Sequence, residues 1–270
     1  AVGNNSLFNN QTGADNVAFG KSALERNING SYNIAIGSSS LFNNQTNSYS
    51  IAIGYESQTN NLSGSRNVSL GHQSLFANSS GYDNVALGYN AFYLGNFNNS
   101  IALGSNVVIT ADNQVRIGNS STNSIGGFAS WTNVSDERFK TNIVYDKVPG
   151  LQFILKLKPV VYNLNLKSIN SYLKVENEIG QNKTNQLQTG FIAQEVEKTA
   201  REIGFDFSGI DKPKNGNDYY GIRYAEFVVP LTKAIQEQQE IILKQQMEID
   251  NLKSEMQSIL NAIQALKVSK

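Results

Sequence analysis

The chain has 270 residues, no cysteine and a single histidine, His72, and its 22 basic residues balance its 22 acidic ones. Neither a disulfide nor a thiolate or multi-histidine metal site can therefore form within one chain, and the balanced charge gives no global attraction to nucleic acid or to an anionic membrane. We therefore expect no cofactor and no nucleic-acid partner. The apolar runs are far shorter than the roughly 20 residues that a membrane span needs, so we also expect no membrane insertion.

Charge is distributed unevenly along the chain. Residues 1–134 contain only four Lys or Arg and five Asp or Glu side chains and are rich in Asn, Ser and Gly, whereas all the other charged residues lie in 135–270. A nearly uncharged segment is thus joined to one of ordinary globular composition. This change predicts a domain boundary near residue 134.

The first half of the chain is built from an internal repeat. Glycine recurs every 17 residues from Gly3 to Gly88, and the spacing then shortens to 16 at Gly104 and to 14 at Gly118. Triplets with a large apolar residue at each end precede these glycines at 17–19, 34–36, 51–53, 68–70, 85–87, 101–103 and 115–117. A second apolar position follows four residues after most of the glycines, at Leu7, Leu24, Leu41, Leu75 and Phe92.

A repeat of this length is too short for a pair of helices but suits two short strands with turns. Large apolar residues alternate with Ala or Ser, which is the period-2 pattern of a strand whose small side faces a narrow space. One unit cannot bury its apolar face alone, whereas stacked units can. The repeats resemble the head repeats of trimeric adhesins and fibre shafts, so residues 1–127 are predicted to be all-β, either a parallel β-roll or an interleaved trimeric β fibre. The alternative is Asn/Ser-rich disorder, which the constant register of the apolar positions disfavours.

A different pattern begins after a linker predicted at residues 128–134. Residues 135–143 read Ser-Asp-Glu-Arg-Phe-Lys-Thr-Asn-Ile, and three further landmarks follow at 157–163, 190–196 and 220–230. The first motif resembles the start of the self-cleaving intramolecular chaperone domain of endosialidase-type tailspikes and phage tail fibres. The landmarks resemble, in order, that family's strand after its first helix, its central strand-to-helix stretch and the segment that leads into its terminal helix. The resemblance implies an α+β chaperone domain over residues 135–230.

The resemblance also implies that the chain cleaves itself at the Val134–Ser135 bond. In this family the backbone breaks just before the serine, which makes Ser135 the nucleophile, and Lys140 matches the family's general base. A serine hydroxyl needs a base to take its proton, and an amine can serve only when it is neutral, which requires burial or a neighbouring cation such as Arg138. Without the resemblance, Ser135 could be an ordinary helix N-cap and Lys140 a solvated surface charge.

The last 40 residues predict a long helix with a coiled-coil repeat. Residues 231–270 contain neither Gly nor Pro, and Pro230 suits the first turn of a helix. Isoleucine at a with Leu or Ile at d favours trimers or tetramers over dimers, and two Gln residues at d favour one register. We therefore expect a trimeric coiled coil; a single amphipathic helix on its own domain is the alternative. The a positions are Ile235, Ile242, Ile249, Met256 and Ile263, and the d positions are Leu231, Gln238, Gln245, Leu252, Ile259 and Leu266.

These features predict a fragment of a tail fibre or tailspike. Its C-terminal domain would template the folding of the β fibre as a homotrimer and would then act once, as an autoproteolytic serine endopeptidase with a Ser-Lys dyad. The expected partners are the other copies in the homotrimer and a host-surface receptor or glycan, on which Tyr49, Tyr82 or Tyr93 could stack. The expected location is the virion, with assembly in the host cytoplasm and an extracellular mature fibre.

Two other functions remain open at this point. The first is a trimeric adhesin or receptor-binding fibre whose C-terminal domain is a permanent trimerisation module, and it differs only in leaving the Val134–Ser135 bond intact. The second is a carbohydrate-degrading tailspike. Glycosidases usually need two carboxylates that face one sugar, and the five acidic residues of 1–134 are scattered over different repeats, so this segment gives that function no support.

Overall fold

The computed structural model describes residues 1–175 and 185–268; residues 176–184 of the predicted chaperone domain and 269–270 of the predicted coiled coil lie outside the described residues. The chain forms two compact units, and neither is continuous in sequence. The first unit contains Ala1–Ser130, Asn163–Gln188 and Pro213–Tyr219, and the second contains Trp131–Tyr162, Thr189–Lys212 and Tyr220–Lys270.

A parallel β-solenoid of about six turns dominates the first unit. Each repeat winds into one coil with one three-residue strand, and not with the two strands that the repeat length suggested. Neighbouring strands pair in parallel and in register with the repeat, so that Ala35 pairs with Ala18 on one side and with Ala52 on the other. One chain forms the roll, which is the first of the two predicted windings. The strands are β1 (Val17–Phe19), β2 (Ile34–Ile36), β3 (Ile51–Ile53), β4 (Val68–Leu70), β5 (Val85–Leu87), β6 (Ile101–Leu103) and β7 (Val115–Ile117).

The interior of the solenoid is narrow. The middle residue of each strand from β1 to β6 is buried, and all six are Ala except Ser69. The apolar residue four positions after the glycine is also fully buried in several coils, as with Leu24, Leu41 and Phe92. The small middle residues leave room for these larger side chains, which explains why the repeat alternates large and small residues.

The repeated glycines stand where successive coils approach most closely. Gly37 has a φ of +129°, a region that side-chain-bearing residues rarely adopt. A Cβ atom at Gly37 would lie 2.4 Å from the carbonyl oxygen of Gly54 in the next coil. The 17-residue spacing of glycine is therefore a requirement of the stacked backbone.

Buried amide ladders account for the high Asn content. Asn10, Asn27 and Asn44 occupy the same place in successive coils. Asn27 Nδ2 donates to Asn10 Oδ1, and Asn44 Nδ2 donates to Asn27 Oδ1, both at 2.6 Å. Asn27 Nδ2 also donates to the carbonyl oxygen of Gly30 at 2.9 Å. These bonds pair amide groups of successive coils with one another and with the backbone of the turns, so the Asn-rich stretches form ordered corners of the solenoid.

Two segments from the second half of the chain also belong to the first unit. Asn163–Gln188 carries the helix α2 (Leu166–Tyr172), in which Leu166 and Asn170 are buried. The side chain of Asn165 caps this helix by accepting from the Ser168 N–H at 3.0 Å. The second segment, Pro213–Tyr219, is a loop. Both segments lie within the stretch 135–230 that the sequence groups into one domain.

An aromatic cluster forms the core of the second unit. Phe153 is fully buried, and its ring centroid lies 5.0 Å from that of Phe207, which lies 4.8 Å from that of Phe227. Val196 and Ala200 pack against this cluster from one helix. The elements of this part of the chain are α1 (Leu151–Ile154), β8 (Val160–Tyr162), β9 (Gln188–Gly190), α3 (Ala193–Glu202), β10 (Ile210–Asp211), β11 (Gly221–Ile222), a 3₁₀ turn (Tyr224–Phe227) and α4 (Val228–Val268).

The long helix α4 packs on the rest of the second unit near its start. Glu237 Oε2 accepts from the Leu151 N–H at 2.7 Å, where α1 packs on α4, and Ala234 is buried. The apolar side chains at the predicted a and d positions are 43–68% exposed in the single chain. Across residues 1–175 and 185–268, no helix is long and apolar enough to cross a membrane.

Candidate functional site

The predicted nucleophile and base are in direct contact. Lys140 Nζ donates a hydrogen bond of 2.8 Å to Ser135 Oγ. Val134 precedes Ser135, and its side chain is 83% exposed. The carbonyl carbon that the hydroxyl would attack therefore belongs to the residue next to this pair.

A single 3₁₀ turn, Glu137–Phe139, brings Lys140 back towards Ser135. The Lys140 N–H donates to the Glu137 carbonyl oxygen at 3.0 Å, which closes the turn. Asp136 is the N-cap, and its Oδ1 accepts from the Arg138 N–H at 2.9 Å. The five-residue spacing thus leaves room for one N-cap and one three-residue turn between Ser135 and Lys140.

Asp136 has a part that sequence analysis did not assign. Besides capping the turn, its carboxylate binds the Arg138 side chain, with 2.7 Å between Arg138 Nη2 and Asp136 Oδ2. An Asp two residues before an Arg at the start of a turn was the available signal, because short acidic side chains commonly accept from the backbone two residues on.

The same ion pair bears on the expected role of Arg138 as a cation beside Lys140. The hydrogen bonds from Arg138 lower the pKa of the Asp136 carboxyl, and Asp136 in turn raises the pKa of Arg138. The guanidinium is therefore paired with a carboxylate. The hypothesis that Arg138 supplies an uncompensated positive field beside Lys140 is not supported by this arrangement.

The candidate site is open to solvent in the single chain. Val134, Ser135 and Lys140 are all exposed, and the turn Glu137–Phe139 contributes no buried residue. Autoproteolysis requires groups that stabilise the oxyanion and exclude water from the reacting bond. One chain therefore provides the Ser-Lys contact without an enclosed pocket around it.

No metal-binding arrangement accompanies the site. Among residues 1–175 and 185–268, no three His, Cys, Asp or Glu side chains are grouped so that they could hold a metal ion. What the described residues place at this site is a hydroxyl that accepts a hydrogen bond from an amine.

A known family matches part of the C-terminal half of the chain. Residues 135–205 match the model of a peptidase family described as chaperone of endosialidase. The match confirms the resemblance inferred from sequence, and it begins at Ser135 itself. No curated protein and no solved structure matches the chain.

The family match can be placed on the secondary structure. Within the matched residues, the first landmark contains β8, which follows α1, and the second contains the end of β9 and the start of α3. These are the strand after the first helix and the strand-to-helix stretch that the chaperone-of-endosialidase resemblance led us to expect. The third landmark, residues 220–230, lies beyond the match and leads through β11 into α4.

Proposed function

We propose that residues 135–270 act as an intramolecular chaperone that assembles the β-solenoid as a homotrimer and then cleaves the Val134–Ser135 bond. The chaperone-of-endosialidase match and the solenoid together fit a tail-fibre fragment with a chaperone domain. The observation that carries the cleavage proposal is the 2.8 Å hydrogen bond between Lys140 Nζ and Ser135 Oγ at the start of that match.

The proposed chemistry proceeds in two steps. Lys140, in its neutral form, takes the hydroxyl proton while Ser135 Oγ attacks the Val134 carbonyl carbon. The C–N bond then breaks, Lys140 returns the proton to the departing amine, and Val134 is held as an ester on Ser135. Water hydrolyses this ester, which leaves a carboxylate at Val134 and a free amino group at Ser135.

Assembly of the trimer would complete the site. The Ser-Lys pair is solvated in one chain, and a base of this type needs a drier or more positive environment than bulk water provides. Neighbouring copies that associate through α4 can supply the residues that enclose the Ser-Lys pair and exclude water from it. This coupling would delay cleavage until the chains are assembled, and cleavage would then leave the folded fibre kinetically trapped.

The exposed heptad of α4 supports a homotrimer. A helix of 41 residues whose apolar a and d side chains are exposed over most of its length needs partner helices to bury them. Isoleucine at a favours trimers or tetramers. Three such helices would align three chains at their C-terminal ends.

The outer face of the solenoid supports the same conclusion. The residues that flank the middle of each strand point away from the interior and form two apolar columns along the sheet. Contiguous apolar surface of this kind marks an interaction face, and identical columns on other copies can cover it. The first column contains Val17, Ile34, Ile51, Val68, Val85, Ile101 and Val115, and the second contains Phe19, Ile36, Ile53, Leu70, Leu87, Leu103 and Ile117.

A template is useful because this fold depends on non-local contacts. Each strand of the solenoid pairs in parallel with a strand one repeat away. Folds of this type form slowly, and their unpaired strand edges can associate wrongly in the meantime. A helix that first brings three chains together would reduce this hazard.

The proposed setting is a virion tail fibre that assembles in the host cytoplasm and meets a host receptor or glycan outside the cell. Tyr49 and Tyr82 are exposed on the solenoid and offer aromatic surface for such a ligand. The competing function is an uncleaved trimeric adhesin with a permanent C-terminal trimerisation domain, and it shares every feature except bond cleavage.

Intact mass under denaturing conditions distinguishes the two functions. Freshly expressed parent protein is compared with a Ser135→Ala variant. Two fragments that meet at Val134–Ser135 in the parent, and a full-length chain in the variant, are the expected result. Full-length chains in both samples would exclude autoproteolysis and favour the permanent trimerisation domain.

A further inference from the structure

The C-terminal end of the solenoid core is closed by residues that lie beyond the proposed cleavage bond. Ile109, Thr110 and Gln114 of the last coil are 2–7% exposed. The compact unit to which they belong includes Asn163–Gln188 and Pro213–Tyr219. Stacked repeats need a cap on the terminal unit, because its interior would otherwise face water.

A buried carboxylate forms the centre of this contact. Asp218 is only 6% exposed, and its Oδ1 accepts from Thr110 Oγ1 at 2.6 Å and from Gln114 Nε2 at 3.4 Å. Its Oδ2 accepts from the Lys214 N–H at 3.1 Å. Hydrogen bonds to a buried charge are among the stronger ones, and neither solenoid donor could be lost without leaving this carboxylate poorly compensated.

Further contacts surround Asp218 on the same coil. Asn215 Nδ2 donates to the Thr110 carbonyl oxygen at 2.7 Å. The guanidinium of Arg116 lies 5.0 Å from the ring centroid of Tyr219, which is within the range of a cation–π contact. Arg116 is the middle residue of β7, and the six earlier strands have Ala or Ser at this position. The repeat therefore changes at the coil that contacts the loop Pro213–Tyr219.

The helical segment adds a second area of contact. Ser120 Oγ donates to Asn170 Oδ1 of α2 at 3.2 Å. Leu173 and Val175 stand opposite Tyr93 and Leu94 of the solenoid across a cavity of about 40 Å³. Side chains of the helical segment and of the solenoid therefore line one cavity together.

None of these contacts depends on the backbone between the repeat and Ser135. Residues 121–135 are exposed throughout, and a Cβ atom added at Gly126 or Gly127 would meet nothing within 4 Å. The segments that hold the last coil begin at residue 163, well after the bond that would break. Cutting the linker therefore removes the covalent connection and leaves the non-covalent one unchanged.

We infer that cleavage does not separate the two products, because residues 163–175 and 213–219 of the C-terminal product remain as the cap of the last solenoid coil. The inference rests on the proposed function only in that cleavage makes two products. The interaction surface on the N-terminal product is the last coil around Thr110, Gln114 and Arg116. The C-terminal product binds this surface, with Asp218 at the centre of the contact. The mature fibre then keeps its cap until another event removes it.

The test uses a cut that does not depend on autoproteolysis. Residues 124–130 are replaced by the recognition sequence of a site-specific protease in a Ser135→Ala background, and the purified full-length protein is cut with that protease. Size-exclusion chromatography and native mass spectrometry then report whether the two products remain together. Co-elution is expected. Separation of the products immediately after cutting would overturn the inference.

Substitutions locate the contact. Asp218→Ala, and separately Arg116→Ala, should make the cut products dissociate at least about tenfold faster, because the first removes the buried carboxylate and the second removes the cation–π contact with Tyr219. The matched control is Asp211→Ala, which removes a carboxylate that pairs with Arg223 within the second unit. Dissociation of both test variants at the control's rate would show that the assigned surface does not hold the products. Failure of autoproteolysis alone appears separately, as uncut parent protein without added protease.

Discussion

Gln58 Nε2 donates a hydrogen bond of 2.8 Å to Ser69 Oγ inside the solenoid. Both side chains are fully buried. Gln58 occupies the repeat position that holds Leu41 in the preceding coil and Leu75 in the following coil. Ser69 likewise replaces the Ala found in the middle of the other strands from β1 to β6. One polar layer therefore interrupts the apolar core and divides it into two clusters.

Removing both members of this layer should cost less than the sum of the two single losses. Gln58→Leu or Ser69→Ala alone removes this hydrogen bond, while Gln58 Nε2 keeps its bond to the Ile51 carbonyl oxygen and Ser69 Oγ keeps its contact with Ser57 Oγ. We expect each variant to lower the free energy of unfolding by about 1 kcal/mol. The double variant restores the Leu and Ala of the other coils, and we expect it to lose less than the sum of the two. Urea unfolding of the four proteins gives the coupling energy. Additive losses would contradict the prediction.

A methyl group at a repeat glycine should disrupt coil stacking. Gly37→Ala would place Cβ 2.4 Å from the Gly54 carbonyl oxygen and would force an Ala to a φ of +129°. We expect a loss of at least about 2 kcal/mol in the free energy of unfolding. Gly126→Ala is the matched control, because its Cβ meets nothing within 4 Å. Equal midpoints of unfolding for the two variants would show that the close approach is not a constraint.

The repeat could be predicted from sequence because it depends on local rules repeated many times. The alternation of large and small residues in 34–36 specifies the two faces of a strand, and the glycine at 37 specifies a turn. The 17-residue period of both features specifies the stacking of the coils. The number of strands per coil could not be predicted, because short strands and tight corners with positive φ use similar Asn-, Ser- and Gly-rich sequences. The attachment of Pro213–Tyr219 to the last coil could not be predicted either, since the contact between Asp218 and Thr110 spans about a hundred residues and carries no local signal.

Lys140 should be essential for cleavage, and its charge alone should not suffice. Lys140→Arg keeps a donor to Ser135 but cannot act as a base near neutral pH, because a guanidinium does not deprotonate there. We expect both Lys140→Arg and Lys140→Ala to slow cleavage by about 10²–10⁴-fold, which is the usual contribution of a general base.

A cell-free translation time course, followed by denaturing electrophoresis, measures that rate. Lys147→Ala is the control, because it removes a nearby exposed lysine outside the 3₁₀ turn. Cleavage of Lys140→Arg at the parent's rate would show that Lys140 is a structural contact and not the base. The Ser-Lys pair itself could be predicted from the family motif, whereas the pairing of Arg138 with Asp136 required the geometry of the turn.

The cap on the last coil should weaken in acid. Burial opposes ionisation of Asp218, but hydrogen bonds from Thr110, from the N–H groups of Lys214 and Tyr219 and from Gln114 outweigh burial and lower its pKa. A lowered pKa in the folded state means that the carboxylate stabilises the contact above the pKa of an unfolded Asp. That stabilisation is lost as the pH falls from about 4 through the folded value.

Dissociation of the cut products at a series of pH values tests this prediction. The rate should rise below about pH 4 in the parent. In Asp218→Asn the rate should be higher at neutral pH and should depend less on pH, since the amide cannot ionise and presents a donor towards the Lys214 N–H. An equally steep acid response in Asp218→Asn would assign the pH dependence to other carboxylates.

Assembly through α4 should depend on the heptad positions and not on apolar character in general. Ile249 stands at an a position and Met247 at an f position, and both are exposed in the single chain. A charge at a would be buried among three helices without a partner, so Ile249→Asp should convert trimers to monomers, whereas Met247→Asp should leave them intact. Sedimentation equilibrium measures the mass of each. If trimer formation completes the site around Ser135 and Lys140, Ile249→Asp should also slow cleavage. Rapid cleavage by a monomeric Ile249→Asp variant would show that one chain is sufficient for the reaction.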